Sequence, residues 1–275
     1  MLTVFSGDLH VHTVLSPCAE YDMAPSLIVA RARESGLDLV AITDHNSVEN
    51  ARAVMEAARG TGLAVIPGME VETVEEVHVL ALFGSLTQAL RWQDVVYARL
   101  PDLPNDERHF GVQALVGPDD GVRGVLDRRL ATATSLSLDE VVVRVSALGG
   151  ISIPSHVDRP AYGLLGVLGF IPAGLDVPAV EVSPRCPESV LASLEGRCVL
   201  RGSDAHRLDA LGTARSRFLM AAPTVPELAL ACRGLEGRQV RDTRVCCPVQ
   251  GQPSGRNADG GSDAKPRSGT DQRVH

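Results

Sequence analysis

Hydrophobic and polar residues alternate along the chain in blocks that predict strands and helices in turn. Continuous apolar runs at 39–42 and 63–66 are typical of parallel strands that are buried on both faces. Between these runs, a helical pattern follows Ser47, a predicted N-cap, and closes at Gly60 and Gly62. The other elements predicted in this part of the chain are strands within 2–14 and at 77–83, and a helix that opens at Pro25 and ends before Gly36.

The alternation of strands and helices continues after a less regular stretch. Residues 87–135 are interpreted as an insertion between barrel units, with a helix at 87–100 and a hairpin around 117–121. Further helices are predicted at 138–148, 164–168, 187–194 and 225–233, and further strands at 151–154, 179–182, 199–202 and 218–220. From Cys246 onward the chain is rich in Gly, Pro, Ser, Asp and Gln, which predicts disorder. We therefore expect one folded domain, 1–245, and a disordered tail, 246–275.

Ligand-type side chains collect at the predicted strand ends. Asp8, His10 and His12 have the i, i+2, i+4 spacing that places three side chains on one face of a strand. Five of the eight histidines end predicted strands, and His78 lies within one. The five are His10, His12, His45, His156 and His206. This layout is typical of barrel enzymes, whose active sites gather at the carboxyl ends of the strands.

The donors in this layout exceed what one structural ion requires. Asp204 and His206 repeat the i, i+2 spacing, and Glu70 follows a glycine at a strand end, where a carboxylate can bridge two ions. A structural zinc closes its sphere with four ligands, whereas this inventory suffices for two or three divalent ions. Such ions generate a metal-activated hydroxide near neutral pH and bind phosphoryl oxygens. A hydrolase that uses two or three metal ions is therefore predicted.

The motifs together resemble the PHP (polymerase and histidinol phosphatase) family of metal-dependent phosphoesterases. The matching motifs are Asp8-Leu9-His10-Val11-His12-Thr13, Thr43-Asp44-His45, Glu70, His78, Ser155-His156 and Ser203-Asp204-Ala205-His206. They follow the family's order over roughly residues 3 to 245. The resemblance implies a distorted, seven-stranded (β/α) TIM-like barrel. It also implies a site for three ions of manganese, zinc or iron.

The resemblance also implies how the ligands are divided among the ions. One ion would take His10, His12, Glu70 and Asp204, which would be the catalytic residues that act through the metal-bound hydroxide. Glu70 would bridge to a second ion completed by His78 and His156. His45 and His206 would hold a third ion, whose further ligand falls at Cys18, where the family mostly has Asp or His. A thiolate there would favour zinc or iron over manganese. Alternatively, Cys18 is merely small and apolar and the ligand is Glu20 or Asp22.

Other polar residues near the strand ends are expected to support the site. Asp8 and Asp44 are expected to orient ligating histidines. Arg159 follows the Ser155-His156 motif and is expected to bind substrate phosphate, with Arg185 and Arg207 as further candidates. For each arginine the alternative is a solvated loop side chain without a role.

Composition and charge narrow the class of partner. The chain of 275 residues has a formal net charge of −8 and only 3% aromatic residues, which argues against long duplex nucleic acid as the main partner. No run of 18 apolar residues and no signal peptide is recognised, so no membrane association is expected. Six cysteines without a CxxC pair favour a reduced, cytoplasmic setting.

The predicted function is hydrolysis of a phosphate monoester of a small phosphorylated metabolite or a nucleotide. Two alternatives are consistent with the same residues. The first is an amidohydrolase-type reaction on a C–N or carboxylic ester bond, and the second is a non-catalytic barrel that binds a phosphorylated ligand as a sensor. The oligomeric state is left open by the sequence.

Overall fold

A seven-stranded sheet forms the centre of the fold. The computed structural model describes residues 1–241, so the predicted tail lies outside the described residues. The strands are β1 Thr3–Val11, β2 Leu39–Ile42, β3 Ala64–Glu72, β4 His78–Leu82, β5 Ala114–Val116, β6 Val122–Val125, β7 Ile151–Pro154, β8 Val180–Val182, β9 Val199–Arg201, β10 Ser216–Met220 and β11 Gln239–Arg241. The central sheet has the order β11-β10-β1-β2-β3-β4-β7, while β5-β6 and β8-β9 form separate pairs.

The helices lie mostly between the strands, as the hydrophobic pattern predicts. They are α1 Pro25–Glu34, α2 Ala51–Ala57, α3 Leu86–Tyr97, α4 Glu107–Phe110, α5 Leu138–Ala147, α6 Leu164–Leu168, α7 Glu188–Ser193 and α8 Val225–Arg233. The predicted cap of α2 is wrong. The helix begins after Asn50, and the Ser47 hydroxyl contacts Gln93 and Tyr97 of α3 instead. No helix among residues 1–241 is long and apolar enough to cross a membrane.

The sheet is a curved half-barrel of mixed strand direction, which corrects the predicted (β/α) TIM-like barrel. Strands β1, β2 and β3 are parallel, whereas β4 is antiparallel to β3 and β7 is antiparallel to β4. On its other edge, β1 pairs from Thr3 to Gly7 with the antiparallel strand β10. These backbone groups are therefore not available to a strand that would close a barrel.

The pair β8-β9 partly fills the gap between β7 and β1. The Val157 amide, beyond the end of β7, donates to the carbonyl of Glu181 in β8 at 2.9 Å. Beyond β9, the Ala205 carbonyl accepts a hydrogen bond from the His12 amide at 3.0 Å. Only the carboxyl end of β1 is therefore joined to this pair, and that end carries the histidines.

The core lies on both faces of the central strands, as the apolar runs predict. In β2, Leu39 and Ala41 belong to one buried cluster and Val40 and Ile42 to the other, and all four are fully buried. Burial of each large aliphatic side chain stabilises the fold by about 1.5–3 kcal/mol. The central strands are therefore rigid supports for the residues at their ends.

The insertion between β4 and β7 packs against the loop that follows β1. The Ala114 amide of β5 donates to the Val14 carbonyl at 3.2 Å, and Asn50 donates to the Ala114 carbonyl at 3.0 Å. Gly111 has a φ of +93°, and a side chain there would collide with the carbonyl of Pro17. The insertion thus supports the segment that carries Cys18.

The N-terminus of helix α5 allows a test of how side-chain capping stabilises a helix. Ser137 and Glu140 form a reciprocal capping box, in which the Ser137 hydroxyl accepts from the Glu140 amide at 3.2 Å. We expect Ser137→Ala to lower the free energy of unfolding by about 1 kcal/mol, because one amide loses its acceptor. Urea denaturation measures this loss, and Ser146→Ala on the exposed face of the same helix is the control. Equal stability of the two variants would contradict the assignment.

Candidate metal centre

The ligand-type residues from six segments meet at one edge of the sheet. Strands β1, β2, β3, β7 and β9 bring their carboxyl ends to this edge. His78 is the first residue of β4, and its partner in the antiparallel register is Glu72 at the end of β3. The reversal of β4 therefore brings His78 to the same edge, which the sequence pattern of parallel units did not predict.

Four donors form the tightest group, the first grouping: His10, His12, Glu70 and Asp204. The His10 Nε2 atom lies 3.2 Å from Glu70 Oε1 and 3.2 Å from Asp204 Oδ1. The His12 Nε2 atom lies 3.4 Å from Glu70 Oε2 and 3.2 Å from Asp204 Oδ1. The structure thus unites all four residues that the sequence analysis names for one ion.

Two further groupings share donors with the first. The second grouping is His45, Glu70 and His78, and the third is His12, His45 and His206. His45 thus occurs in both, whereas the family resemblance implies it for the third ion alone. His156, implied for the second ion, lies outside these groupings, but its Nε2 atom is 3.1 Å from Glu70 Oε1.

Cys18 belongs to none of the three groupings found within residues 1–241. The residue is exposed to solvent on one side, while protein atoms surround much of its thiol group. This partial burial, together with the charge of Glu70, raises the pKa of the thiol to about 12. The alternatives Glu20 and Asp22 are also exposed and also lie outside the groupings. The further ligand of the third ion therefore stays a prediction.

Hydrogen bonds determine which ring nitrogen of His10 and His12 carries a proton. The His10 Nδ1 atom donates to Glu181 Oε1 at 2.8 Å, and the His12 Nδ1 atom donates to the Ser16 hydroxyl at 2.9 Å. The Ser16 hydroxyl in turn donates to Asp44 at 2.7 Å. With Nδ1 as the donor, a neutral imidazole presents the lone pair of Nε2 to the donor groupings.

Glu181 is a residue that the sequence analysis missed. It is buried, and besides His10 it accepts from the amide of His156 at 3.3 Å. A charged residue in the middle of the apolar strand β8 was the available signal.

Asp8 differs from the expectation, because its carboxylate accepts from the amides of His10, Ser203 and Gly212 rather than from an imidazole. Asp8 therefore orients the backbone that carries the ligands.

The charges at this edge favour cations. Burial alone would raise the pKa of Glu70, yet the charges of His78 and His10 hold it well below its usual range. Conversely, burial alone would lower the pKa of His10, but the neighbouring carboxylates raise it well above its usual range. The pKa of His45 is lowered by burial and by the charge of His12. The carboxylates thus stay ionised, while the imidazoles differ in their affinity for protons.

Strained backbone lies at the same edge. His156, Asp204 and Asn46 have φ values of +31°, +50° and +48°, in the left-handed region that residues with a side chain rarely adopt. Asn46 is held there by hydrogen bonds to the carbonyls of Leu130 and Thr132. Such strain persists where surrounding contacts hold the residue, and it is common at functional sites.

The three predicted phosphate-binding arginines occupy different environments. The Arg159 Nη1 atom lies 2.6 Å from Asp204 Oδ2, so its guanidinium reaches the first grouping. Arg207 pairs with the exposed Asp209 at 2.8 Å, and Arg185 is exposed in the loop after β8. Of the three, Arg159 is therefore the one whose observed contact is with the donors.

The donor set fits divalent ions. Asp204 Oδ1 is buried and has no hydrogen-bond donor of its own, although two imidazole nitrogens lie 3.2 Å from it. Imidazole nitrogens and carboxylate oxygens are the ligands that zinc, iron and manganese accept. A cation bound between this oxygen and the two imidazole nitrogens would give the oxygen the partner that it lacks.

The fold is a curved α/β sheet whose strand-end edge carries donors for divalent ions. The comparison with family models agrees with the motifs: the model described as "PHP domain" matches residues 8–115. An uncharacterized protein, YqxK of Bacillus subtilis, is 23% identical over 85% of this chain and 63% of its own length. The 5'-3' exoribonuclease Rnm of Salmonella typhimurium is 38% identical over 28% of this chain and 26% of its own.

Solved structures extend the similarity over most of the fold. The lesion-specific endonuclease PfuEndoQ from Pyrococcus furiosus is 19% identical with a TM-score of 0.68, over 86% of this chain and 58% of that one. A complex of Endonuclease Q with a 27-mer duplex gives 0.67 at the same identity and coverage. The chain spans less than two thirds of the length of each of these relatives. At this identity the likeness is one of fold, so the expectation about long duplex nucleic acid stays a prediction.

Proposed function

We propose that this protein hydrolyses a phosphate ester of a nucleotide or another small phosphorylated metabolite with the help of two or three divalent ions. The observation that supports it is the union of His10, His12, Glu70 and Asp204 within hydrogen-bonding distances at a strand-end edge. Manganese, zinc and iron suit these donors, and the softer ions are favoured only if Cys18 reaches them. Nucleic acid is a further substrate class, because the similar enzymes named above act on it.

The donors would hold up to three ions, divided as the family resemblance implies. The first ion would take His10, His12, Glu70 and Asp204, which is the first grouping. The second would take Glu70, His78 and His156, and the third would take His45 and His206. When bound, such ions activate a water molecule and offset the charge that develops on the phosphoryl oxygens and the leaving group. Glu70 joins the groupings, because its two oxygens lie within 3.4 Å of His10, His12, His45, His78 and His156.

Two side chains beside the donors would hold the site in place and bind the substrate. Ser155 donates to Glu70 Oε1 at 2.9 Å and so helps to fix the carboxylate that links the groupings. Arg159 is 40% exposed and ion-paired with Asp204, so it can exchange this carboxylate for a substrate phosphate without a change in burial. A planar guanidinium binds two phosphate oxygens at once, which orients the ester at the donor edge.

The test is release of inorganic phosphate from a panel of nucleotides and of sugar and amino-alcohol phosphates. The purified protein is stripped with a chelator and reloaded with manganese, zinc or iron in turn. We expect turnover of at least one ester with at least one ion and none after stripping. Turnover of amides without release of phosphate from any ester would replace the proposal by the amidohydrolase-type reaction.

Metal content distinguishes the non-catalytic alternative. We expect the loaded protein to bind two or three ions per chain, as measured by elemental analysis. A chain that binds at most one ion and hydrolyses no ester, but still binds phosphorylated ligands, would support a sensor instead.

A further inference from the structure

The loop between β7 and α6 places an aromatic ring beside the donor groupings. Tyr162 stacks on His78 of the second grouping, with ring centroids 4.5 Å apart and ring planes inclined by 18°. Tyr162 is nevertheless 45% exposed. One face of the ring therefore rests on a donor histidine, while the residue keeps a large part of its surface open to solvent.

The loop is built to hold this ring in place. Tyr162 has a φ of +60°, and its carbonyl accepts a hydrogen bond from the His78 amide at 3.0 Å. A side chain at Gly163 or Gly166 would collide with the carbonyl of Arg159. The close backbone contacts thus fix the loop, and the left-handed conformation of Tyr162 is sustained by its surroundings rather than by its own preference.

The same loop supplies a cation. Arg159 lies three residues before Tyr162 and reaches Asp204 Oδ2 at 2.6 Å. An exposed guanidinium and a half-exposed aromatic face therefore border the donors from one rigid segment. A phosphate group and a nucleobase, joined through a sugar, carry the two chemical features that such a pair binds.

We propose that Tyr162 is a specificity-determining residue that stacks on the base of a nucleobase-bearing phosphate ester, either a free nucleotide or the end of a nucleic acid strand. This inference rests on the proposed function and names its substrate class. Arg159 contacts the phosphate, and Tyr162 contacts the base through its open face. Stacking tolerates every base, so the selection is for the presence of a base and not for its identity.

The alternative role of Tyr162 is to orient His78 alone. In that case its removal would weaken catalysis for every ester to the same degree and would lower metal content. In a stacking role, its removal would act on base-bearing esters in particular. The discriminating quantity is therefore a ratio of specificity constants and not a single rate.

The experiment measures kcat/KM of the metal-loaded enzyme for adenosine 5'-monophosphate, a 5'-phosphorylated adenine dinucleotide and ribose 5-phosphate. We expect Tyr162→Ala to lower the preference for base-bearing esters over ribose 5-phosphate about tenfold. Tyr162→Phe keeps the ring and should preserve the ratio. Phe170→Ala removes another exposed aromatic ring and serves as the matched control.

Each outcome decides between the roles. A larger loss for the dinucleotide than for the mononucleotide assigns the site to strand ends, and the reverse assigns it to free nucleotides. An unchanged ratio in Tyr162→Ala, or equal use of ribose 5-phosphate and nucleotides by the wild type, overturns the stacking role while phosphate release still supports the proposed function. If the wild type releases phosphate from no ester, the proposed function itself fails.

Discussion

Replacement of Glu70 by glutamine is expected to reduce kcat/KM for phosphate release roughly 10³-fold, with the fold retained. Glu70 is buried, and its oxygens lie 3.0 Å from His78 Nδ1 and 3.2 Å from His45 Nδ1. The amide removes one negative charge from the centre of the groupings and turns an NH₂ group toward imidazole nitrogens. Phosphate-release kinetics and elemental analysis measure the loss, and circular dichroism checks the fold.

Glu72→Gln is the matched control for this variant. Glu72 lies two residues further along β3 and is mostly buried, with its Oε2 atom 3.9 Å from His78 Nε2, but it belongs to none of the groupings found within residues 1–241. The same chemical change there is expected to alter kcat/KM less than about tenfold, because Glu72 contacts only one of the donors and at the limit of ion-pair distance. Comparable losses in the two variants would show that the general charge of the site matters, rather than the position of Glu70.

Glu181→Gln is expected to weaken metal affinity about 10- to 100-fold, the usual effect of changing the partner of a ligating histidine. The carboxylate accepts from His10 Nδ1 at 2.8 Å, which holds Nε2 free and makes the ring more basic. Glutamine retains an acceptor oxygen but loses the charge. Competition with a metal-sensitive chelator gives the affinity, and kcat at saturating metal is expected to recover most of its wild-type value.

Glu195→Gln is a suitable reference for Glu181→Gln, because Glu195 is exposed and follows α7 in the segment before β9. It should leave metal affinity unchanged. An affinity of Glu181→Gln equal to that of this reference would contradict the role of Glu181, and the hydrogen bond to His10 would then be a structural contact only.

The strand-end position of the histidines was predictable, because continuous apolar runs mark buried strands and polar residues mark their ends. The runs at 39–42 and 151–154 became β2 and β7 with the same bounds. The group of four around Glu70 was implied by the resemblance of the motifs to the PHP family. Such features depend on local sequence, which carries the periodicity of its own secondary structure.

The direction of the strands, and the contacts that Glu181 and Tyr162 make with the donor histidines, were not predictable in this way. An apolar run such as that of β4 has the same pattern whether it runs parallel or antiparallel, so the half-barrel and the position of His78 escaped prediction. Glu181 and Tyr162 act through partners far away in the sequence or through a backbone conformation. Neither kind of contact leaves a periodic signal.

The reversal of β4 has a consequence for how the site assembles during folding. Glu70 and His78 are eight residues apart and lie on one hairpin, so their contact closes a short loop. The bond between His10 and Glu181 spans 171 residues and requires most of the chain to be in place. Because long loops close late, we expect the hairpin donors to meet early and the first grouping to form last. Tight metal binding would then report that the chain has completed its fold.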